Sequence, residues 1–401
     1  MTDAPIMETQ AGDAGAFKDF DLARVPSPCF VIDKAAIRRN LSILSQVGKD
    51  ADVKVLLALK AFSCWSLGDL IAEYLDGTCA SGLWEAKLAR EKFGGELATY
   101  SAGFKADELP EILELSDHLI FNSPAQLARF APLIEAARKW GYAPDFGLRI
   151  NPEHSEGSIP KYDPCAAGSR LGTPISQLTD ADIDAISGLH MHTLCEQDFL
   201  PLKRTFEAIE DKIAPWLKKL KWLNFGGGHH ITRPDYQRDE LVAFLKTIKQ
   251  KYDIEIYLEP GEAVALDAGI LVGEVLDVAR NGEVDLAIMD ISATCHMPDV
   301  IEAPYRPALL GEPDDGADQS KVLRLGGPSC LAGDVIGDYR FKDTPEIGQR
   351  IAFLDQAHYS MVKTNTFNGV RLPSIALWDS ESDELEIIRR FPYEEFRDRL
   401  S

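Results

Sequence analysis

Lys60 closes the apolar run Val-Leu-Leu-Ala-Leu at 55–59. A lysine in that place is expected to be partly buried, and burial favours the neutral amine, a nucleophile toward carbonyl carbons. A side chain that simply reaches from a strand end into water is the plainer reading. Gly226, Gly227 and Gly228 are consecutive and precede His229 and His230. Backbone N–H groups with no side chains over them can cradle a phosphate, or merely turn the chain. Glu259, in Leu-Glu-Pro-Gly, can keep a heteroaromatic ring nitrogen protonated, or pair with Arg149 or Arg170. His192 can stack on a planar ring or pack as an ordinary histidine. Cys330, in Leu-Gly-Gly-Pro-Ser-Cys, sits in a turn that exposes its thiol for proton donation to a carbanion. A buried, inert thiol is the alternative. His229 and His230 are adjacent and no third His or Cys completes a set, so no metal site is expected.

These residues need elements to position them. Short apolar or β-branched runs occur at 53–59, 78–80, 97–100, 119–121, 146–150, 186–190, 222–225 and 254–258. Helical patterns such as GLWEAKLAREKF, SPAQLARFAPLIEAARKW and DELVAFLKTIKQKY lie between them. Parallel neighbours need long crossovers, so this alternation predicts a (β/α)8 TIM-like barrel, although a doubly wound sheet also alternates. Barrel chemistry sits on the loops after the strands' carboxyl ends. Lys60 follows the first run, His190-Met-His192-Thr the sixth, the three glycines the seventh and Glu259 the eighth. The longest loop, 151–174, holds Asp163 and Arg170 and follows the fifth.

After Glu259 the texture changes. Strand-like runs at 269–278, 284–290, 321–325, 350–354 and 385–388 are joined by loops rich in Gly, Pro and Asp. The expected division is a flexible N-terminal arm at 1–26, a barrel at 27–265 and a predominantly β domain at 266–401. The run at 28–33 is a candidate to join the β domain.

The chain has 401 residues, of which 64 are acidic and 42 basic, for a formal charge of −22. Such a surface repels phosphate backbones and disfavours nucleic acid as a partner, while drawing in small cations. The seven cysteines are scattered with no C-x-x-C pair, which argues against a disulfide framework or a zinc site. The opening MTDAPIMETQAGDAGAF lacks the basic and apolar regions of a signal peptide, and no apolar stretch is long enough for a bilayer. A cytoplasmic protein without membrane partners is expected.

In order, Lys60, Cys79-Ala-Ser81, His192, Gly226 to Gly228, Glu259-Pro-Gly261, Gly-Pro-Ser-Cys330 and Tyr359 with Thr366-Phe-Asn-Gly369 span nearly the whole chain. Together they resemble the pyridoxal-phosphate decarboxylases of the alanine-racemase-like fold. Within that group, Leu189-His-Met-His192-Thr-Leu-Cys-Glu196, Asn224-Phe-Gly-Gly-Gly-His-His230, Ala293-Thr-Cys-His-Met-Pro-Asp299 and Gly327-Pro-Ser-Cys-Leu-Ala-Gly-Asp334 resemble the carboxynorspermidine/carboxyspermidine decarboxylases.

The resemblance implies pyridoxal 5'-phosphate as cofactor and a homodimer with shared sites. It implies covalent attachment of the cofactor at Lys60, stacking by His192, and a phosphate held by Gly226, Gly227, Gly228 and Tyr359. Glu259 would pair with the pyridinium, and Cys330 would be the acid in a partner subunit's site. The substrate would be a cationic carboxylated polyamine, with norspermidine or spermidine as product. Asp299, Glu302 and Asp334 are the expected partners for its distal ammonium groups.

Two departures stand out. Ornithine-type relatives carry Arg where this chain has Glu262, and Asp where it has Leu331. A diaminopimelate-type or other basic amino-acid decarboxylase, a racemase using Tyr305 or Cys330 as second base, and a non-catalytic homologue are the competing readings.

Overall fold

In the computed structural model, which describes residues 7–8, 12–142, 144–157, 163–314 and 320–401, the eight strand-like runs close into one parallel barrel. Strand β1 (Cys29–Asp33) lies outside it. The barrel strands are β2 (Lys54–Ala58), β3 (Gly77–Ala80), β4 (Glu96–Tyr100), β5 (His118–Phe121), β6 (Asp145–Asn151), β7 (Gly188–His190), β8 (Trp222–Asn224) and β9 (Glu255–Leu258). They run β5-β4-β3-β2-β9-β8-β7-β6, and parallel pairing of β5 with β6 completes the circle.

The crossovers are helical for reasons visible in the chain. Helix Pro124–Lys139 starts with proline in its first turn, where the missing N–H costs nothing, and the Ser123 side chain accepts the Gln126 N–H. Helix Phe199–Leu217 buries Phe199, Leu202, Phe206, Ile209, Ile213 and Trp216, a stripe at three- and four-residue spacing.

The barrel interior is filled by Leu56, Ala98, Ile120, Trp222 and Tyr257. The Trp222 indole crosses β7 so closely that a Cβ on Gly188 would stand 1.9 Å from it. At the strands' amino ends, Lys54 pairs with Glu96. The Tyr257 hydroxyl donates to the same carboxylate at 3.0 Å, and His118 Nε2 lies 3.5 Å away. The His118 hydrogen bond, followed by the contacts of Lys54 and Tyr257, holds Glu96 down at about 2 despite its partial burial.

Arg39–Val264 forms one compact unit, which contains the barrel; Met1–Arg38 with Ala265–Ser401 forms the other. In the second unit, β10 (Gly269–Asn281) pairs with β11 (Val284–Met289), and both precede β12 (Lys321–Gly326), β13 (Val335–Phe341), β14 (Arg350–Leu354), β15 (Ser374–Asp379) and β16 (Glu384–Arg389). The sheet order is β13-β12-β11-β10-β1-β15-β16, with β14 also paired to β10. Strand alternation sends Ile270 and Val272 into one apolar cluster and Leu271 and Val275 into another.

Strand β1 belongs to this unit, antiparallel to β10 and parallel to β15. The N-terminal arm differs from the mobile segment expected. Phe17 and Phe20 are buried, with ring centroids 5.3 and 4.8 Å from that of Trp378. Its polar average concealed two aromatic anchors whose apolar area favours docking. Residues 1–6 and 9–11 of the arm lie outside the described residues. Among the described residues no helix is long and apolar enough to cross a membrane.

Candidate active site

Parallel register sets Arg149, His190 and Asn224 in one row near the carboxyl ends of β6, β7 and β8. Beyond that row the chain turns, and the residues expected to do chemistry lie on those turns. Lys60 follows β2 by two residues, His192 follows β7 by two, and Gly226 follows β8 by two. Glu259 comes directly after β9.

Lys60 is exposed rather than partly buried, because β2 ends at Ala58 and the lysine rides on the turn that follows. Its Nζ lies 3.5 Å from His192 Nε2. His192 accepts the Gly227 N–H at Nδ1 over 3.0 Å, and its own carbonyl accepts from Arg149 Nη2, also at 3.0 Å. Desolvation, followed by the charges of Lys60 and Arg149, pushes His192 well below the usual imidazole range, so the ring is neutral.

Glu259 pairs with neither Arg149 nor Arg170. Its Oε2 lies 3.1 Å from His190 Nε2, and its Oε1 accepts Asn224 Nδ2 at 2.7 Å. Burial pushes this carboxyl up, but His190, Asn224 and the Lys60 charge outweigh that and hold it below its ordinary value. Burial also lowers His190, whose buried Nδ1 has no hydrogen-bond partner, as suits the bare nitrogen of a neutral ring. The pair is therefore a neutral imidazole donating to an ionised carboxylate. Tyr100 stacks on His190 with centroids 5.6 Å apart, and the Arg149 guanidinium lies 4.7 Å from the Tyr100 centroid. The Cys79 thiol is held protonated by burial and by the Glu259 charge beside it.

The glycine turn packs too closely for side chains. A Cβ on Gly227 would meet the Glu259 carbonyl oxygen at 2.1 Å, and one on Gly228 the Leu194 carbonyl oxygen at 2.0 Å. Gly226 and Gly228 have φ of 67° and 86°, the left-handed region that glycine enters freely. Asn224 Oδ1 accepts the Gly226 N–H at 2.8 Å, so one amide ties the glycine turn to Glu259. His229 Nδ1 lies 2.6 Å from the Tyr236 hydroxyl, and burial lowers this histidine to about 3. At the departure from the ornithine-type pattern, His230 Nε2 lies 3.3 Å from Glu262 Oε2.

The structure brings Lys60, His192, Gly227 and Glu259 into this one network of the barrel unit. His190, Asn224, Arg149 and Tyr100 belong to it as well; in the sequence His190 and Asn224 stand out only as members of motifs, Arg149 only as a candidate partner of Glu259, and Tyr100 has no assigned role. The signal available for Asn224 and His190 was spacing, since each stands two residues before a residue that was singled out.

The remaining candidates lie in the β unit. Asp299 and Glu302 bracket a short helix, and Lys363 Nζ contacts both, at 2.5 and 3.3 Å. Cys330 is exposed, as expected, and so is its neighbour Leu331. Tyr359 begins helix Tyr359–Val362, half-buried, with its ring 6.0 Å from that of His358. Asp334 departs from the expectation of a substrate-facing acid. It is buried, and its carboxylate accepts hydrogen bonds from Ser292, Thr294 and Ser329.

Residues 29–357 match the family model described as pyridoxal-dependent decarboxylase, C-terminal sheet domain. The chain is 40% identical over 383 residues to a carboxynorspermidine/carboxyspermidine decarboxylase of Campylobacter jejuni, covering 93% of this chain and 98% of that one. It is also 40% identical over 382 residues to a carboxyaminopropylagmatine decarboxylase of Synechocystis, covering 94% and 96%. The crystal structure of carboxynorspermidine decarboxylase from Campylobacter jejuni, complexed with norspermidine, superposes with a TM-score of 0.85 at 40% identity, over 94% of this chain and 100% of that one. The strand-end lysine, the glycine turn and the held carboxylate thus stand in a chain that belongs to the pyridoxal-dependent decarboxylase family.

Proposed function

We propose that this decarboxylase acts on carboxynorspermidine and carboxyspermidine, releasing norspermidine and spermidine, with pyridoxal 5'-phosphate at the carboxyl end of its barrel. The observation that carries the reading is the 40% identity, across nearly all of both chains, to the Campylobacter enzyme of that name. The barrel residues fit the cofactor: an exposed lysine, a turn with no room for Cβ atoms, and an ionised, hydrogen-bonded carboxylate. Bound there, pyridoxal phosphate supplies an electron sink for the pair left on the α-carbon when CO2 departs.

The chain's own residues then have distinct tasks. Lys60 offers the amine for covalent attachment. The turn at Gly226, Gly227 and Gly228 would leave room for the phosphate without the arginine of the ornithine-type pattern; the N–H groups of Gly226 and Gly227 already donate to Asn224 and His192, which leaves that of Gly228, and the family resemblance alone assigns Tyr359 to the same phosphate. Glu259, kept ionised by His190 and Asn224, holds the proton on the ring nitrogen. His192 would offer its neutral ring as a stacking partner for the cofactor. Cys330 gives its thiol proton to the α-carbon, serving the site of a second copy in a homodimer. Asp299 and Glu302 take the distal ammonium groups of the substrate. Their hold on the Lys363 ammonium supports that assignment, since the chemistry of the two cations is the same.

Steady-state CO2 release from carboxynorspermidine, carboxyspermidine and diaminopimelate tests the reading. Turnover of the first two, at a kcat/KM far above that of diaminopimelate, is expected; preference for diaminopimelate overturns it. The equal identity to the Synechocystis protein favours one alternative, carboxyaminopropylagmatine. Its distal guanidinium would suit the same acid pair, and including that compound in the assay separates the two.

A further inference from the structure

We propose that Asp334 is a positioning residue that clamps the Cys330 turn to the segment carrying Asp299 and Glu302, and is not a substrate ligand. The inference deepens the reading above and rests on its assignment of Cys330 as the proton donor.

Asp334 is 4% exposed, and both of its carboxylate oxygens are engaged. The Ser292 hydroxyl lies 3.0 and 2.9 Å from Oδ1 and Oδ2. The Thr294 N–H donates to Oδ1 and the Ser329 N–H to Oδ2, each at 3.3 Å. A buried carboxylate is tolerated when hydrogen bonds replace its water, and this one has them from two separate stretches of chain.

On one side it grips the cysteine turn. Ser329 immediately precedes Cys330. The Asp334 N–H donates to the Leu331 carbonyl and the Gly327 N–H to the Asp334 carbonyl, both at 2.9 Å. The turn is thus pinned before and after the thiol. A Cβ on Gly327 would stand 2.3 Å from Asp334 Oδ2, so the carboxylate occupies the hollow that this glycine leaves.

On the other side it grips the start of the acid-bearing segment. Ser292 caps helix Ala293–His296 by accepting the Cys295 N–H at 3.1 Å. Its own N–H donates to His296 Nδ1 at 3.2 Å, which leaves the proton on Nε2 to reach the Arg371 carbonyl at 2.9 Å. Helix Asp299–Glu302 follows within three residues. One side chain therefore fixes the proton donor relative to the groups assigned to the substrate's distal charges. With its oxygens already engaged, an incoming ammonium has no open approach to it.

Asp334→Ala and Asp334→Asn, with Cys330→Ala beside them, test this. Asn keeps one acceptor oxygen, enough for only one of the two N–H groups, and offers Ser292 an N–H; Ala keeps neither. The expected result is a kcat for the Ala variant lowered on the order of 10²-fold, the scale of a misplaced general acid. KM for the carboxylated triamine should change little, and the kcat of the Asn variant should fall between that of the Ala variant and that of the unaltered enzyme. Independently of catalysis, alkylation of Cys330 by iodoacetamide, followed by peptide mass spectrometry, should change severalfold in the Ala variant. Cys195, also exposed, serves as the internal control. A raised KM at unchanged kcat, or unaltered Cys330 alkylation in both variants, overturns the proposal. If Cys330→Ala turns over normally, the proton-donor assignment falls, while the alkylation rates still report whether Asp334 positions the turn. If the Ala variant fails to fold, the Asn variant carries the same measurements.

Discussion

Nε2 of His192 lies 3.5 Å from Nζ of Lys60, while its Nδ1 accepts the backbone N–H of Gly227 at 3.0 Å. A neutral imidazole accepting at Nδ1 carries its proton on Nε2, so the glycine turn selects the tautomer whose proton faces the lysine. Lys60→Ala should abolish both CO2 release and the visible absorbance gained on adding pyridoxal phosphate. Lys60→Arg should do the same, because a guanidinium does not give up its proton to become a nucleophile. Persistence of the band in either variant, after gel filtration, contradicts the assignment.

Asn224 connects the glycine turn to Glu259, and its loss should be felt at both ends. Asn224→Ala strips a donor from an ionised carboxylate, an interaction worth about 1.5–3 kcal/mol. Affinity for pyridoxal phosphate, read by fluorescence titration, should fall by roughly 10- to 100-fold. Affinity for pyridoxal, which lacks the phosphate, should fall less, because only the Glu259 half of the linkage then matters.

Lys363 already holds the two acids assigned to the substrate's distal charges. Asp299→Ala should raise KM for the carboxylated triamine by about 10-fold or more, the value of one charge-assisted hydrogen bond. Lys363→Met should lower that KM by removing a competing ammonium. An unchanged KM in both variants would take this acid pair out of the substrate site.

Four histidines are held below the usual imidazole value, with desolvation the leading cause for each: His190, His192, His229 at about 3 and His296 at about 4. The folded state therefore resists protons that the unfolded chain accepts. Stability from these groups is complete above the unfolded value of 6.5 and is lost as pH falls from there toward 4 and 3. Each contributes a slope of up to about 1.4 kcal/mol per pH unit in that window. Chemical denaturation between pH 7 and 4 should show this decline, and His229→Asn should flatten it.

The barrel was readable because its strands are buried on both faces and appear as plain apolar runs. All eight positions, from 53–59 to 254–258, correspond to observed strands. Strand β13, Val-Ile-Gly-Asp-Tyr-Arg-Phe, was hidden because Gly337, Asp338 and Arg340 interrupt the apolar pattern. Half-exposed strands take such residues on the wet face. Strand β15 was missed behind Pro373. At the site, the residues on turns were legible from their types. His190 and Asn224 were not, since their work lies in the partners they hold, and partnership depends on register across strands distant in sequence. Asp334 shows the opposite failure: an acid beside a reactive thiol suggested ligand chemistry, whereas its hydrogen bonds turn inward.

Strand β1 lies between β10 and β15, partners that begin at Gly269 and Ser374. On the ribosome, this strand therefore has no neighbour until β10 has been made, and its second flank stays open until β15 follows. The barrel strands, all made in the interval, have their neighbours to hand much earlier. Translation thus supplies the barrel strands before the sheet around β1 is complete, leaving this apolar strand with one flank open to chaperones until β15 has been made.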